Sequence, residues 1–288
     1  MPPFAVLIQY VLPKQAITQL AGKLANMQGG RFTTSVIRWF IKRYQVNMAE
    51  AAQPSACCYK TFNDFFTRAL KEGVRPIDQA NFICPVDGAI SQFGTIEVDQ
   101  IFQAKGHHYS TTALLGGNRK LGGKFNNGHF ACIYLSPKDY HRIHMPCDGQ
   151  LLSMAYVPGA LFSVNPITAQ GVPGLFAKNE RVVCEFSSAQ YGSFVMVLVG
   201  ATIVGSMATV WHDDANGIIN PPRSHDVRLW DYCQKNIQLK QGDEMGRFLL
   251  GSTVVMLFEQ QNLQFNADWQ AGTTVRLGTL MGNINSGH

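Results

Sequence analysis

The spacing of apolar positions in this chain changes near residue 82. Before that point the intervals are helical. Ile17, Leu20, Ala21, Leu24 and Ala25 fall at i, i+3, i+4, i+7 and i+8, one face of a helix, while Lys14 and Lys23 fall elsewhere. Gly29-Gly30 interrupts the pattern. The next segment, SVIRWFIKRYQV, sets Val36, Ile37, Trp39, Phe40, Ile41 and Tyr44 among Arg38, Lys42 and Arg43. Bulky apolar side chains beside cations suit a helix lying in a membrane interface. The same spacing also describes an amphipathic helix packed on a protein body. MAEAAQPSA then reads as a polar linker, and FNDFFTRALKEG as a short helix that starts near Asn63 or Asp64 and stops at Gly73.

From about residue 82 the helical period is lost. Short apolar or alternating runs (HFACIYL, QLLSMAYV, RVVCEF, FVMVLV, ATIVGS, STVVMLF) recur between Gly, Pro and Asn punctuation. That pattern predicts strands. The expected fold class is α+β, with an amphipathic helical arm over 1–50 followed by a β-rich body over 51–288. The longest nearly apolar run, FVMVLVGATIV, is about half the ~20 residues needed to span a bilayer as a helix.

Charge sharpens the division. Charged residues make up 15% of the chain, against about 25% in ordinary soluble domains, so contact with a membrane or with another subunit would suit this surface. The net charge is +5, and residues 1–50 carry all of it: six basic groups against Glu50 alone. A basic arm seeks polyanions, either nucleic acid or an anionic membrane. The seven cysteines are odd in number and form no C-x-x-C pair, and no secretory signal is visible. They read as reduced thiols of a cytosolic compartment.

Candidate chemistry gathers in three places. Leu250-Gly251-Ser252-Thr253 opens the last apolar run. Glycine leaves its carbonyl open to approach, and a serine hydroxyl becomes a nucleophile once a base takes its proton. Ser252 could then attack the Gly251 carbonyl and cut its own chain; alternatively the pair is a turn before a strand. The segment SPKDYHRIHMPCDG holds His141 and His144, suited to structure, to acid–base work, or, with Cys147 at the same interval of three and Asp148 beside it, to a metal. Pro146 argues against the regular geometry a metal site needs. A base also needs a group to fix its tautomer. Asp87 in CPVDG, Asp139 and Asp148 are all candidates, and spacing does not choose among them.

Taken together and in order, FNDFFTR, CPVDG, QAKGHHYS, YLSPKDYHRIHMPCDG, LFSVNP, NERV, VGATIVGS, PPR and KQGDEMGRFLLGST resemble the bacterial phosphatidylserine decarboxylase proenzymes. The resemblance runs from about residue 61 to 253. It implies a triad of Asp87, His144 and Ser252 for self-cleavage between Gly251 and Ser252, giving a β chain of 1–251 and an α chain of 252–288 that stay together as a heterodimer. Ser252 becomes a covalent pyruvoyl group, the cofactor, which forms a Schiff base with the substrate amine. His141 is the implied proton donor in decarboxylation, and no metal is implied. The substrate is phosphatidylserine in an anionic membrane, the product phosphatidylethanolamine. The arm then reads as a peripheral anchor on the cytoplasmic side of the inner membrane, with no nucleic-acid partner; low surface charge is compatible with a homodimer. Two rival readings use the same residues: a serine hydrolase that does not cut itself, although the G-x-S-x-G elbow is absent around Ser252, and a lipid-binding protein without catalysis. Self-cleavage separates both from the first reading.

Overall fold

The computed structural model describes residues 4–202, 207–212, 226–249, 253–259 and 261–285. Three helices come first: α1 (Phe4–Val11), α2 (Lys14–Ala25) and α3 (Arg31–Tyr44). The break at Gly29-Gly30 falls where expected, with Gly30 at φ 53° just before α3. Gln45 takes the left-handed conformation that stops α3.

The apolar stripe of α2 is divided: Ile17 and Ala21 are half-buried and its two leucines face outward. Thr18 and Ala25 are buried, whereas Leu20 is 61% exposed and Leu24 55%. On α3, Thr33 and Ile37 are buried, whereas Phe32 (63%) and Trp39 (61%) are exposed. Phe40 and Ile41 do not join Trp39 at the surface. They pack with Ile37, Val46, Ala56 and Phe65 in a small aromatic-rich cluster, in which Phe40 meets Phe62 and Phe65 edge-on.

The segment read as a linker is anchored at points along it, although residues 52–55 are exposed. Ala51 is buried and bridges to Leu70, and Glu50 pairs with Arg75. The helix read over FNDFFTRALKEG is only α4 (Phe62–Phe66). A capping box between Thr61 and Asp64 starts it. It ends early because Ala51 recruits Leu70 into a bridge that a helix could not make.

The body is antiparallel β. Its strands are β1 (Phe82–Ile83), β2 (Gly88–Thr95), β3 (Gln100–Ala104), β4 (His107–Ser110), β5 (His129–Tyr134), β6 (Arg142–His144), β7 (Gly149–Val157), β8 (Arg181–Ser188) and β9 (Gly192–Val199). They continue as β10 (Met207–Thr209), β11 (Arg228–Asp231), β12 (Gln238–Leu239), β13 (Glu244–Phe248), β14 (Thr253–Phe258), β15 (Leu263–Phe265), β16 (Thr274–Val275) and β17 (Leu280–Ile284). Short helices α5 (Thr111–Leu114), α6 (Arg119–Gly123), α7 (Pro166–Gly171) and α8 (Leu175–Lys178) interrupt them. The main sheet runs β11-β7-β8-β9-β14-β5-β2-β16, with β12 also on β7. Of ATIVGS, only Ala201 and Thr202 lie within the described residues, and they are not in a named strand.

Successive residues of β14 explain its unbroken apolar run. Val254, Met256 and Phe258 point into one core, with Ile133, Met196, Phe186 and Phe248. Val255 and Leu257 point into another, with Cys132, Val197, Leu121 and Phe176. A strand covered on both faces has no polar side to show. One face is roofed by the short helices and β3–β4. The other is roofed by two small sheets, β10-β13-β6 and β1-β17-β15. The second roof carries the candidate chemistry.

Candidate active site

Asp87 ends the turn between β1 and β2. The next residue must be glycine, because a Cβ on Gly88 would stand 2.5 Å from the Tyr134 carbonyl oxygen. The Asp87 carboxylate is buried and fully engaged. Arg75 grips it through Nε at 2.9 Å and Nη2 at 2.5 Å, and the Leu277 amide donates to it at 2.9 Å. Arg75 also donates to Glu50 at 2.6 Å. These hydrogen bonds, from Asp87 foremost, raise the Arg75 pKa further.

His144 closes β6, stitched to the same turn by its amide, which donates to the Pro85 carbonyl at 2.9 Å. Its ring is held at both nitrogens. Nδ1 lies 2.7 Å from the Gly242 carbonyl and Nε2 lies 3.2 Å from the Tyr140 hydroxyl. A carbonyl can only accept, so Nδ1 carries the hydrogen and Nε2 presents the lone pair. Burial lowers the His144 pKa, while the Gly242 hydrogen bond and the charges of Glu244 and then Asp87 act against that. Glu244 faces His144 across the β6–β13 ladder.

His141 is fully buried. Nδ1 lies 2.9 Å from the Asp139 carbonyl, which fixes the same tautomer, and Nε2 has no partner among the described residues. The Phe66 ring stands 4.0 Å away, centroid to centroid. Burial first, then the nearby charge of Arg68, pushes the His141 pKa down to about 3. Both histidines therefore present Nε2 as a base in this structure, and backbone carbonyls orient them.

Of the three carboxylates weighed as the orienting group, none bonds to the His144 ring. Asp139 accepts from Ser136 N and Oγ, both at 2.7 Å. Asp148 accepts from Lys240 and Gln241, each at 2.8 Å. Asp87 acts on His144 through its charge. Cys147 lies in the core, where burial holds its thiol protonated. Among the described residues no group of three His, Cys, Asp or Glu side chains could hold a metal ion.

Gly251 and Ser252 lie outside the described residues, but both flanks of the cleavage motif are placed. On one side, the Phe248 amide donates to the His141 carbonyl at 3.0 Å. On the other, Thr253 starts β14 opposite Tyr134 and Val199. Thr253 Oγ1 is buried without a hydrogen-bond partner among the described residues. The motif is thus tethered upstream to His141 and downstream to β5 and β9. Sequence reasoning missed Tyr140, Gly242, Arg75 and Glu244. Tyr140 stood inside the histidine motif; the others act from distant positions in the chain.

A protein-family model described as phosphatidylserine decarboxylase matches residues 62–283, and a second, described as PSD, matches residues 4–45. The chain is 67% identical over 279 residues to a phosphatidylserine decarboxylase proenzyme of Dechloromonas aromatica, covering 97% of each chain. It is 67% identical to that of Albidiferax ferrireducens, covering 96% of each, and 64% identical to that of Methylobacillus flagellatus, covering 97% and 98%.

Proposed function

This chain belongs to the phosphatidylserine decarboxylase family, and we propose that Asp87, His144 and Ser252 carry its self-cleavage and His141 its proton transfer. The protein is a carboxy-lyase made as a proenzyme, converting phosphatidylserine to phosphatidylethanolamine and CO2. The family works with a pyruvoyl group made from one of its own serines. Two orphaned buried atoms, Thr253 Oγ1 and His141 Nε2, flank the cleavage motif. Such atoms fit a site awaiting a polar group.

The observation that carries the cleavage reading is the His144 tautomer. With Nδ1–H committed to Gly242, Nε2 is free to take a proton from Ser252 as general base. The Tyr140 contact at 3.2 Å is long enough to yield to a better donor. Ser252 Oγ then bonds to the Gly251 carbonyl carbon and the C–N bond breaks, the amine taking the proton from His144. Loss of the Ser252 α-proton expels Gly251 as a carboxylate. Water then replaces the nitrogen, which leaves as ammonia. Asp87, held by Arg75, positions the β1–β2 turn to which His144 is tied and acts on His144 through its charge.

The pyruvoyl group supplies an electron sink for the carbanion left by decarboxylation. His141 Nε2, the base in this tautomer, would first take a proton from the substrate ammonium, freeing the amine, and then return that proton to Cα once CO2 has left. We assign the arm, 1–50, to peripheral binding at the cytoplasmic face of the inner membrane. Exposed Leu20, Leu24, Phe32 and Trp39 supply apolar burial, and Lys23, Arg31, Arg38, Lys42 and Arg43, all exposed, supply attraction to anionic lipid. No described helix is long and apolar enough to cross a membrane. The body, 51–288, carries the chemistry as a heterodimer of chains 1–251 and 252–288.

Intact-mass measurement is the test. The 31.8 kDa chain is expected as pieces of about 28 and about 4 kDa, the smaller blocked to N-terminal sequencing. A single uncut chain with decarboxylase activity would overturn the assignment of Ser252.

A further inference from the structure

Among the described residues, Arg68 is a buried cation without an anion. Only 4% of it is exposed. Its Nη2 donates to the carbonyls of Lys138 at 3.1 Å and Asp139 at 3.3 Å. Nε and Nη1 are buried with no acceptor. Tyr59, Asp87, Asp139 and Tyr140 act on it through charge alone, and desolvation outweighs them and lowers its pKa. An unpaired guanidinium in the interior is costly, and the cost is removed when an anion arrives. Arg181, the other buried arginine among the described residues, shows the contrast. It spends its guanidinium on three backbone carbonyls, those of Leu114, Asn179 and Ala113.

Position supplies the rest. The Asp139 carbonyl that receives Arg68 Nη2 also meets His141 Nδ1, so the free N–H groups lie beside the histidine whose Nε2 is itself unpartnered. The Phe65 ring lies under the guanidinium at 5.4 Å, and Phe65 belongs to the cluster on which α3 sits. Arg68 therefore stands between the helical arm and the candidate proton donor.

We infer that Arg68 receives the phosphodiester of the lipid headgroup, an inference that rests on the family activity and on the placement of the site at His141. The headgroup brings two anions. The carboxylate leaves as neutral CO2, so a cation fixed on it would hold the ground state more tightly than the transition state and slow the reaction. The phosphodiester keeps its charge throughout, and the guanidinium fork matches its oxygens. One methylene and one ester oxygen separate phosphorus from Cα, which sets Cα beside His141 once the phosphate is held. An anion here would also cancel the charge that now opposes protonation of His141.

The test uses the self-cleaved enzyme and its R68K and R68Q variants, each verified as two chains by mass. Steady-state kinetics on phosphatidylserine in detergent micelles should show KM raised roughly 10- to 100-fold in R68Q, the range of a hydrogen-bonded charge, with kcat changed far less and R68K in between. Calorimetric titration with glycerophosphoethanolamine, which has the phosphodiester but no carboxylate, should lose affinity by a similar factor and does not depend on turnover. Unchanged glycerophosphoethanolamine affinity with a raised KM would overturn the inference in favour of the carboxylate. A fall in kcat alone, R68K no better than R68Q, or failure of both variants to cleave would reduce Arg68 to a strut for the 138–142 loop. If the His141 assignment fails, the glycerophosphoethanolamine result still stands by itself.

Discussion

The helical arm and β14 are both apolar, and they use that character in opposite ways. In β14 every side chain from Thr253 to Phe258 is buried, alternate ones entering separate cores. In α2 and α3, Thr18, Ala25, Thr33 and Ile37 are buried and Phe40 and Ile41 pack inward, whereas Leu20, Leu24, Phe32 and Trp39 face out. Patches of that kind mark a surface with a partner. Apolar content alone therefore does not measure stability: in one region it holds the fold, in the other it is left at the surface.

The sharpest way to test this division is to remove chemistry without touching location. Ser252→Ala should lose cleavage and decarboxylation completely, as a single band by intact mass, yet still float with phosphatidylserine liposomes. His144→Ala should also remain uncut. His141→Ala should cleave normally and decarboxylate about 10²–10⁴-fold more slowly. If His141→Ala stays uncut while His144→Ala cleaves, the two roles are reversed.

Next in size is a matched pair of truncations. On the uncut Ser252→Ala background, Leu257→Ala should cost about 2–5 kcal/mol in urea unfolding. Leu24→Ala, on the exposed side of α2, should stay within about 0.5 kcal/mol. Equal costs would mean that the arm's outer face is part of the core.

The pH dependence belongs to the body. His141 in the unfolded chain takes a proton below its ordinary 6.5, whereas the folded protein resists protonation down to about 3. Between those values the unfolded state binds more protons, so stability falls as pH drops, by about 1.4 kcal/mol per unit. His141→Asn on the uncut background should flatten the slope of the urea midpoint between pH 6.5 and 5. An unchanged slope would mean that other groups set it.

The smallest effect is expected in the arm. Replacing Phe32 and Trp39 with Ser should leave cleavage intact and make liposome binding salt-sensitive, since salt screens the basic residues and not apolar burial. A wild type that never floats would leave the arm as packed helices only.

The sequence carried the central strands β5, β7, β8, β9 and β14 because their apolar runs are long, β14 as STVVMLF, and not the short strands of the two small sheets. It carried the helices of the arm but not their orientation. Spacing shows that Leu20 and Leu24 share a face, not that the body takes Thr18 and Ala25 in preference. The segment around Glu50 looked like a linker because its residues are small and polar; its burial depends on Arg75 and Leu70, which local pattern does not reveal. In the site, the histidines and Asp87 stood out by motif. The carbonyl of Gly242 that fixes the His144 tautomer could not, since any residue supplies a carbonyl. The lack of an anion beside Arg68 is a property of the folded surroundings alone.

The seat of β14 between β5 and β9, with β16 on β2 and with β15 and β17 forming one sheet with β1, has a consequence for the molecule after it cuts itself. The 37-residue piece that would bear the pyruvoyl group is woven through the larger one, so it could leave only if the whole sheet came apart. Each molecule would then keep for life the fragment it was born with. Two defective variants, one spoiled at His144 and the other at Ser252, should not rescue each other when mixed, and isotope-labelled small chains should not migrate between molecules on the timescale of catalysis.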